Sequence, residues 1–110
     1  MVITVFRSRL RTDNQEAYQQ MATRMHGLAQ KMPGFISIKT FTAPDGERVS
    51  IVEFESEDTH NAWRRHPDHM EAQRQGRELF YSEFHIQVCT VQRSYGFQHK
   101  GCCPSVQLLN

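Results

Sequence analysis

The run Trp63-Arg64-Arg65-His66-Pro67-Asp68-His69-Met70-Glu71-Ala72-Gln73-Arg74-Gln75-Gly76-Arg77 decides how the rest of this chain is to be read. It holds the single Trp, two of the six His and four Arg. Pro67 lacks a backbone donor, and its ring collides with the preceding helical turn. His66-Pro67-Asp68 therefore either breaks a helix or starts a second one with Pro at its first position. Just upstream, Ser56-Glu57-Asp58 supplies an N-cap and an acidic first turn, and helix is expected to resume after Pro67 to about Leu79. Strand-like runs flank the whole segment, so it should cover a sheet. Any chemistry should face it.

Working outward, Arg48 to Glu55 and Ser82 to Tyr95 read as the flanking strands, the latter with Phe84, Ile86 and Val88 opposing His85, Gln87, Cys89 and Val91. Phe35 to Thr42 alternates as a strand, with Phe35, Ser37, Lys39 and Phe41 on one face and Ile36, Ile38 and Thr40 on the other. Ala43-Pro44-Asp45-Gly46-Glu47 is a turn by composition, which makes the second and third strands a hairpin. Val2 to Arg9 is the first strand, and neither of its faces (Val2, Thr4, Phe6 against Ile3, Val5) is plainly polar. Between the first two strands, Asp13 and Glu16 form a capping-box pattern. Ala17, Met21, Met25, Leu28 and Met32 then recur at helical spacing as a core stripe, and Pro33-Gly34 ends the helix.

The element order is βαββαβ, the α+β ferredoxin-like arrangement. It predicts a four-stranded antiparallel sheet over residues 1–97 with its helices on one face, followed by a polar tail at 98–110. Two helical regions cover only one face of such a sheet, yet the other face also carries Phe, Ile and Val. A second copy is the simplest cover, so a homodimer in the form of a dimeric α+β barrel is expected.

With 13 basic and 12 acidic residues in 110, formal net charge is +1. No broad basic footprint for nucleic acid or an anionic membrane is present. No apolar run approaches the roughly 20 residues of a membrane helix, and the N-terminal residues do not read as a secretory signal. Three Cys, two of them adjacent at Cys102-Cys103, make no disulfide framework, and the tail is assigned no functional role. These features point to a reduced, cytoplasmic protein. The absence of a Gly-rich phosphate loop or dinucleotide fingerprint disfavours a tightly bound nicotinamide or flavin.

Glu53-Phe54-Glu55-Ser56-Glu57 leading into Ala62-Trp63, then His66-Pro67-x-His69, Ala72-Gln73-x-x-Gly76-Arg77, Tyr81 and Arg93-x-Tyr95-Gly96-Phe97, resembles the antibiotic biosynthesis monooxygenase family. That resemblance implies a dimeric ferredoxin-like barrel. It also implies either oxygenation of polycyclic phenols or quinols by O2 without a cofactor, or haem binding and degradation in the same cleft. Where the polyketide oxygenases carry an Asn four residues before the Trp, this chain has Thr59, and where they carry a Tyr six residues after it, His69. The axial His of the haem-degrading relatives falls on Gln73, and their strand-one Asn on Ser8.

The expected function is a monooxygenase acting without a cofactor on a small aromatic or quinol-type molecule in a cleft between the second helical region and the sheet. The alternative is a non-enzymatic dimer that binds a ligand or haem, or degrades haem. Trp63 is either a core aromatic or a stacking surface for the substrate. His66 and His69, three apart, could act as general base, cap the helix around Pro67, or form a metal pair that lacks a third ligand. Arg74 is the candidate for an oxyanion, with solvated surface or a dimer salt bridge as its plainer role. Phe6 and Ser8 on the first strand complete the expected substrate-binding set. His60 and His85 read as structural singletons.

Overall fold

The structure is a computed structural model that describes residues 1–99, so Cys102 and Cys103 lie outside the described residues. It contains β1 (Val2–Leu10), α1 (Gln15–Lys31), β2 (Phe35–Thr42), β3 (Arg48–Phe54), α2 (Glu57–Arg64), α3 (Pro67–Gln75) and β4 (Tyr81–Thr90), with a π-helical turn at Gly76–Phe80 between α3 and β4. The strands form one antiparallel sheet in the order β2-β3-β1-β4, which is the ferredoxin-like arrangement the sequence predicts.

Helix starts differ in how they are capped. α2 begins as expected: the Ser56 hydroxyl accepts the Thr59 backbone N–H at 3.2 Å, and the Thr59 hydroxyl accepts the Ser56 N–H at 3.2 Å. α1 does not use the expected capping box of Asp13 and Glu16. Its N-cap is Asn14 at φ 58°, and no side chain caps the helix. Asp13 is instead gripped by Arg11 at 2.6 Å, while the Asn14 amide donates to the Leu79 carbonyl at 3.2 Å. An Asn tolerates the left-handed conformation this entry requires. The break at Pro67 starts a second helix, with Pro at its N-terminus and His66 as N-cap.

The core lies between the helices and one sheet face. Met21, Met25 and Ala29 of α1 pack with Val52, Phe54, Trp63, Ala72 and Phe80, and Phe54 and Ala29 are fully buried. The α1 stripe is thus rotated from the expected one: Ala17 is exposed, while Tyr18 and Ala29 turn inward.

β2 also departs from simple alternation. A register shift between Phe35 and Ser37 lets Phe35 pair with Phe54 and join the core beside Ile38, leaving Ile36 44% exposed. One extra residue in a strand reverses the facing of everything before it. β4 ends at Thr90 rather than Tyr95, because its partner β1 runs out: Val2 pairs with Thr90, and only the Val91 N–H reaches on to the Met1 carbonyl.

Ile3, Val5, Val49, Ile51 and Phe41 share the opposite face of the sheet by register, together with the exposed Cys89. Among the described residues no helix covers that face. No described helix is long and apolar enough to cross a membrane.

Candidate active site

The helix-facing side of the sheet does not close fully onto the helices. Between them runs a cavity of about 260 Å³. β1 forms its floor through Thr4, Phe6 and Ser8. The register brings Val52, Ser50 and Arg48 of β3 beside these residues on one flank, and Val88, Ile86 and Phe84 of β4 on the other. α1 contributes Tyr18 and the methionines of the core, and α2 and α3 contribute His60, Trp63 and His69. Ile86 and Val88 remain 38% and 54% exposed, so the cavity opens beside β4.

Of the residues expected from sequence, Trp63, His69, Phe6 and Ser8 come together on this cavity, and His66 and Arg74 do not. Trp63 is a core aromatic that also reaches the cavity. It is 7% exposed and stacks on Phe54 in the core, with centroids 6.4 Å apart, and it also lines the cavity. His66 caps α3, its Nδ1 accepting the Asp68 backbone N–H at 3.1 Å. Arg74 points its guanidinium at Glu71 and Glu78 on the exposed side of α3, and those two carboxylates hold its pKa above the ordinary arginine value.

His69 is fixed from two sides. Its ring lies 4.2 Å from the Trp63 ring, and its Nδ1 is 3.4 Å from the Arg64 carbonyl oxygen. The tautomer with the proton on Nδ1 donates to that carbonyl and leaves Nε2 free to accept a proton. Burial pushes the His69 pKa below 6.5, so the imidazole is neutral at physiological pH.

His60, a structural singleton by its place in the sequence, is buried at 5% exposure. Yet it also lines the cavity, with Nε2 2.7 Å from the Thr4 hydroxyl. Its pKa is lowered by burial and then by the nearby Arg64 guanidinium. Sequence spacing gives no hint of this pairing, because Thr4 and His60 meet only through the packing of α2 on the sheet.

At the other end of the cavity, Tyr18 and Tyr81 sit with rings 5.9 Å apart, and Tyr81 packs edge-on against Phe6 at 5.4 Å. Burial raises the Tyr81 hydroxyl well above its ordinary value, so it stays protonated. Arg48 lies over the Tyr18 ring, 5.4 Å from its centroid. Gly76 makes this corner possible, since a Cβ there would stand 2.8 Å from the Tyr81 ring.

The lining as a whole contains two guanidinium groups (Arg48, Arg64), three imidazoles (His26, His60, His69) and no carboxylate. It is an aromatic slot with a positive electrostatic bias. Among the described residues no cluster of His, Cys, Asp and Glu could hold a metal ion.

This geometry sits on a recognisable scaffold: the model of the antibiotic biosynthesis monooxygenase family matches residues 1–75. The chain belongs to that family. The uncharacterized protein YqjZ of Bacillus subtilis (strain 168) is 32% identical over 91 residues, which is 83% of this chain and 80% of that protein. Among solved structures, Rv0793 from Mycobacterium tuberculosis superposes with a TM-score of 0.74 at 20% identity, over 84% of this chain and 96% of its own. SnoaB, a cofactor-independent oxygenase from Streptomyces nogalater, superposes with a TM-score of 0.69 at 16% identity, over 84% of this chain and 94% of its own. At these identities the two structures share the fold with this family member.

Thr59 and Gln73, singled out above by the family resemblance, have visible structural places. Thr59 caps α2, and Gln73 lines the cavity. Gln73 offers an amide, not an imidazole, at the position where the family resemblance would put an axial His, and His69 is held through Nδ1 and its ring face.

Proposed function

We propose that this member of the antibiotic biosynthesis monooxygenase family oxygenates an electron-rich aromatic or quinol-type small molecule with O2 and no added cofactor, inside the cavity between helices and sheet. The observation that carries this reading is the lining: aromatic walls, imidazoles and guanidinium groups, without one carboxylate.

Cofactor-free oxygenation asks the protein for three things, and each has a candidate here. The substrate hydroxyl must lose its proton, and a neutral imidazole with a free Nε2 suits that task. His69 is the proposed base, with His60 and its Thr4 partner beside it. The resulting anion must be stabilised in a site of low dielectric, where a nearby positive charge acts strongly; Arg64 supplies it. Water must be excluded, which Trp63, Phe6 and Phe84 accomplish by lining the slot with rings.

Electrons come from the substrate. The carbanion form of the deprotonated ring adds O2 at carbon, and the peroxide so formed takes the proton back from the imidazolium. The base, neutral again, takes the remaining hydrogen of the oxygenated carbon as a proton while the O–O bond breaks. The departing hydroxide takes that proton and leaves as water, and one oxygen atom remains as a ring carbonyl.

The test is oxygen uptake by the purified protein with a panel of quinols and polycyclic phenols under 18O2. One O2 consumed per substrate, with one labelled oxygen in the product and a large loss in His69→Ala, is the expected result. Saturable binding without uptake anywhere in the panel would make the protein a binder instead. A hemin titration that gave one saturating Soret shift per protomer, with bleaching under reductant and air, would replace the reading with haem degradation.

A further inference from the structure

The cavity has two chemically different ends. Thr4 and Ser8 mark them on β1, and four residues of strand separate them by about 13 Å. At the Thr4 end stand His60, Trp63 and His69, with His69 the base proposed above. At the Ser8 end the register places Arg48 directly beside Ser8, with Tyr18 beneath its guanidinium.

Arg48 differs from most arginines of the sheet and its connecting turns. Arg7, Arg9 and Arg11 each hold a carboxylate, from Glu47, Asp45 and Asp13. Among the described residues no carboxylate lies within ion-pair distance of Arg48, and the cavity it faces contains none. A guanidinium with donors in a flat fork, backed by an aromatic face and flanked by the hydroxyl residues Ser8, Ser50 and Thr40 of the same lining, is suited to receive a carboxylate bidentately.

We infer that the molecule this cavity accepts is a hydroxyaromatic acid, with its carboxylate held by Arg48 at the Ser8 end and its oxidisable hydroxyl presented to the imidazoles at the Thr4 end. The inference rests on the oxygenase reading only for the fate of the hydroxyl. The carboxylate contact stands on Arg48 and the lining alone. It makes Arg48 a specificity residue, which orients the ring system so that one end meets the base.

The experiment compares 6-hydroxy-2-naphthoic acid with its methyl ester, using quenching of the single Trp, Trp63, as the binding signal. The acid should bind the wild-type protein roughly tenfold to a hundredfold more tightly than the ester, the span expected of a hydrogen bond to a charged group. Arg48→Gln should bring that ratio to about one while leaving ester affinity in place, which also shows that the variant is folded. Arg48→Lys should retain part of the preference, having the charge without the fork.

Equal binding of acid and ester by the wild type, an acid preference that survives in Arg48→Gln, or no binding of either probe would each overturn the inference. Oxygen uptake measured on the same pair separates the two readings. Uptake with the ester as readily as with the acid leaves the oxygenase and removes the Arg48 contact. Selective binding of the acid with no uptake from it or from the quinol panel leaves the contact and removes the oxygenase.

Discussion

Gly34 joins the end of α1 to β2 at φ +79°, and an added Cβ would stand 2.6 Å from the Cβ, Cγ2 and Oγ1 of Thr59 alike. Gly34→Ala therefore combines three costs. A left-handed conformation disfavours an L side chain by about 1–2 kcal/mol. The overlap cannot be relieved by a rotamer change, because Thr59 Cβ is itself too close, so the first turn of α2 must move; overpacking of this kind costs about 1–3 kcal/mol. That movement strains the reciprocal Ser56–Thr59 cap, worth about 1 kcal/mol. The sum is about 3–6 kcal/mol, and at roughly 4–8 °C per kcal/mol for a domain of this size the melting temperature should fall by at least about 12 °C. Thermal denaturation followed by circular dichroism measures it. In a Thr59→Gly background the overlap disappears and only the conformational cost remains, so the added loss from Gly34→Ala should shrink to about 1–2 kcal/mol. A fall of less than about 5 °C in the single variant, or an equal fall in both backgrounds, would refute the reasoning.

Four further outcomes are expected. His66→Ala should lower the melting temperature by about 5 °C through loss of the α3 cap, with binding in the cavity unchanged by Trp63 fluorescence titration. Arg74→Ala removes only exposed ion pairs and should shift the melting temperature by no more than about 2 °C in a thermal scan. Burial lowers the pKa of His60 and His69 in the folded state, so below pH 6.5 the unfolded chain takes up protons first and stability falls; denaturant titration should show this loss from pH 6.5 downward, and a smaller one in His60→Gln. The apolar far face of the sheet should pair with a second copy, so light scattering at micromolar concentration should report a dimer that Ile51→Glu converts to monomer.

The elements were legible because their signals are local. Pro67 after a capped helical run, Pro33-Gly34 after a methionine stripe, and a Pro-Asp-Gly turn between alternating segments each act within a few residues. The departures arise where distant contacts decide. Nothing local reveals that Phe35 turns inward through a bulge, which follows from its pairing with Phe54. Nor does the length of β4 lie in its own sequence, since it stops where β1 ends. The site shows the same division. Trp63 and His69 share one segment and could be singled out together, whereas His60 waits on Thr4 and Arg48 on Ser8, partners 56 and 40 positions away that only the sheet register supplies.

That division separates what holds Trp63 from what holds the residues around it. Trp63 is held by the core, through Phe54, so its place is fixed by stability as well as by any ligand. The residue six positions later is constrained differently: it must lie against the Trp ring and reach the cavity, and a Tyr or a His can meet both demands. The two differ in chemistry. A buried tyrosine hydroxyl gives up its proton reluctantly, whereas a buried imidazole is neutral and has a lone pair ready at physiological pH. Under the proposed function, His69 against Trp63 puts the base on the protein's own aromatic wall, while Thr59, four positions before the Trp, serves as a cap residue. A second guanidinium stands at the opposite end of the slot, where Arg48 has no carboxylate within ion-pair distance among the described residues.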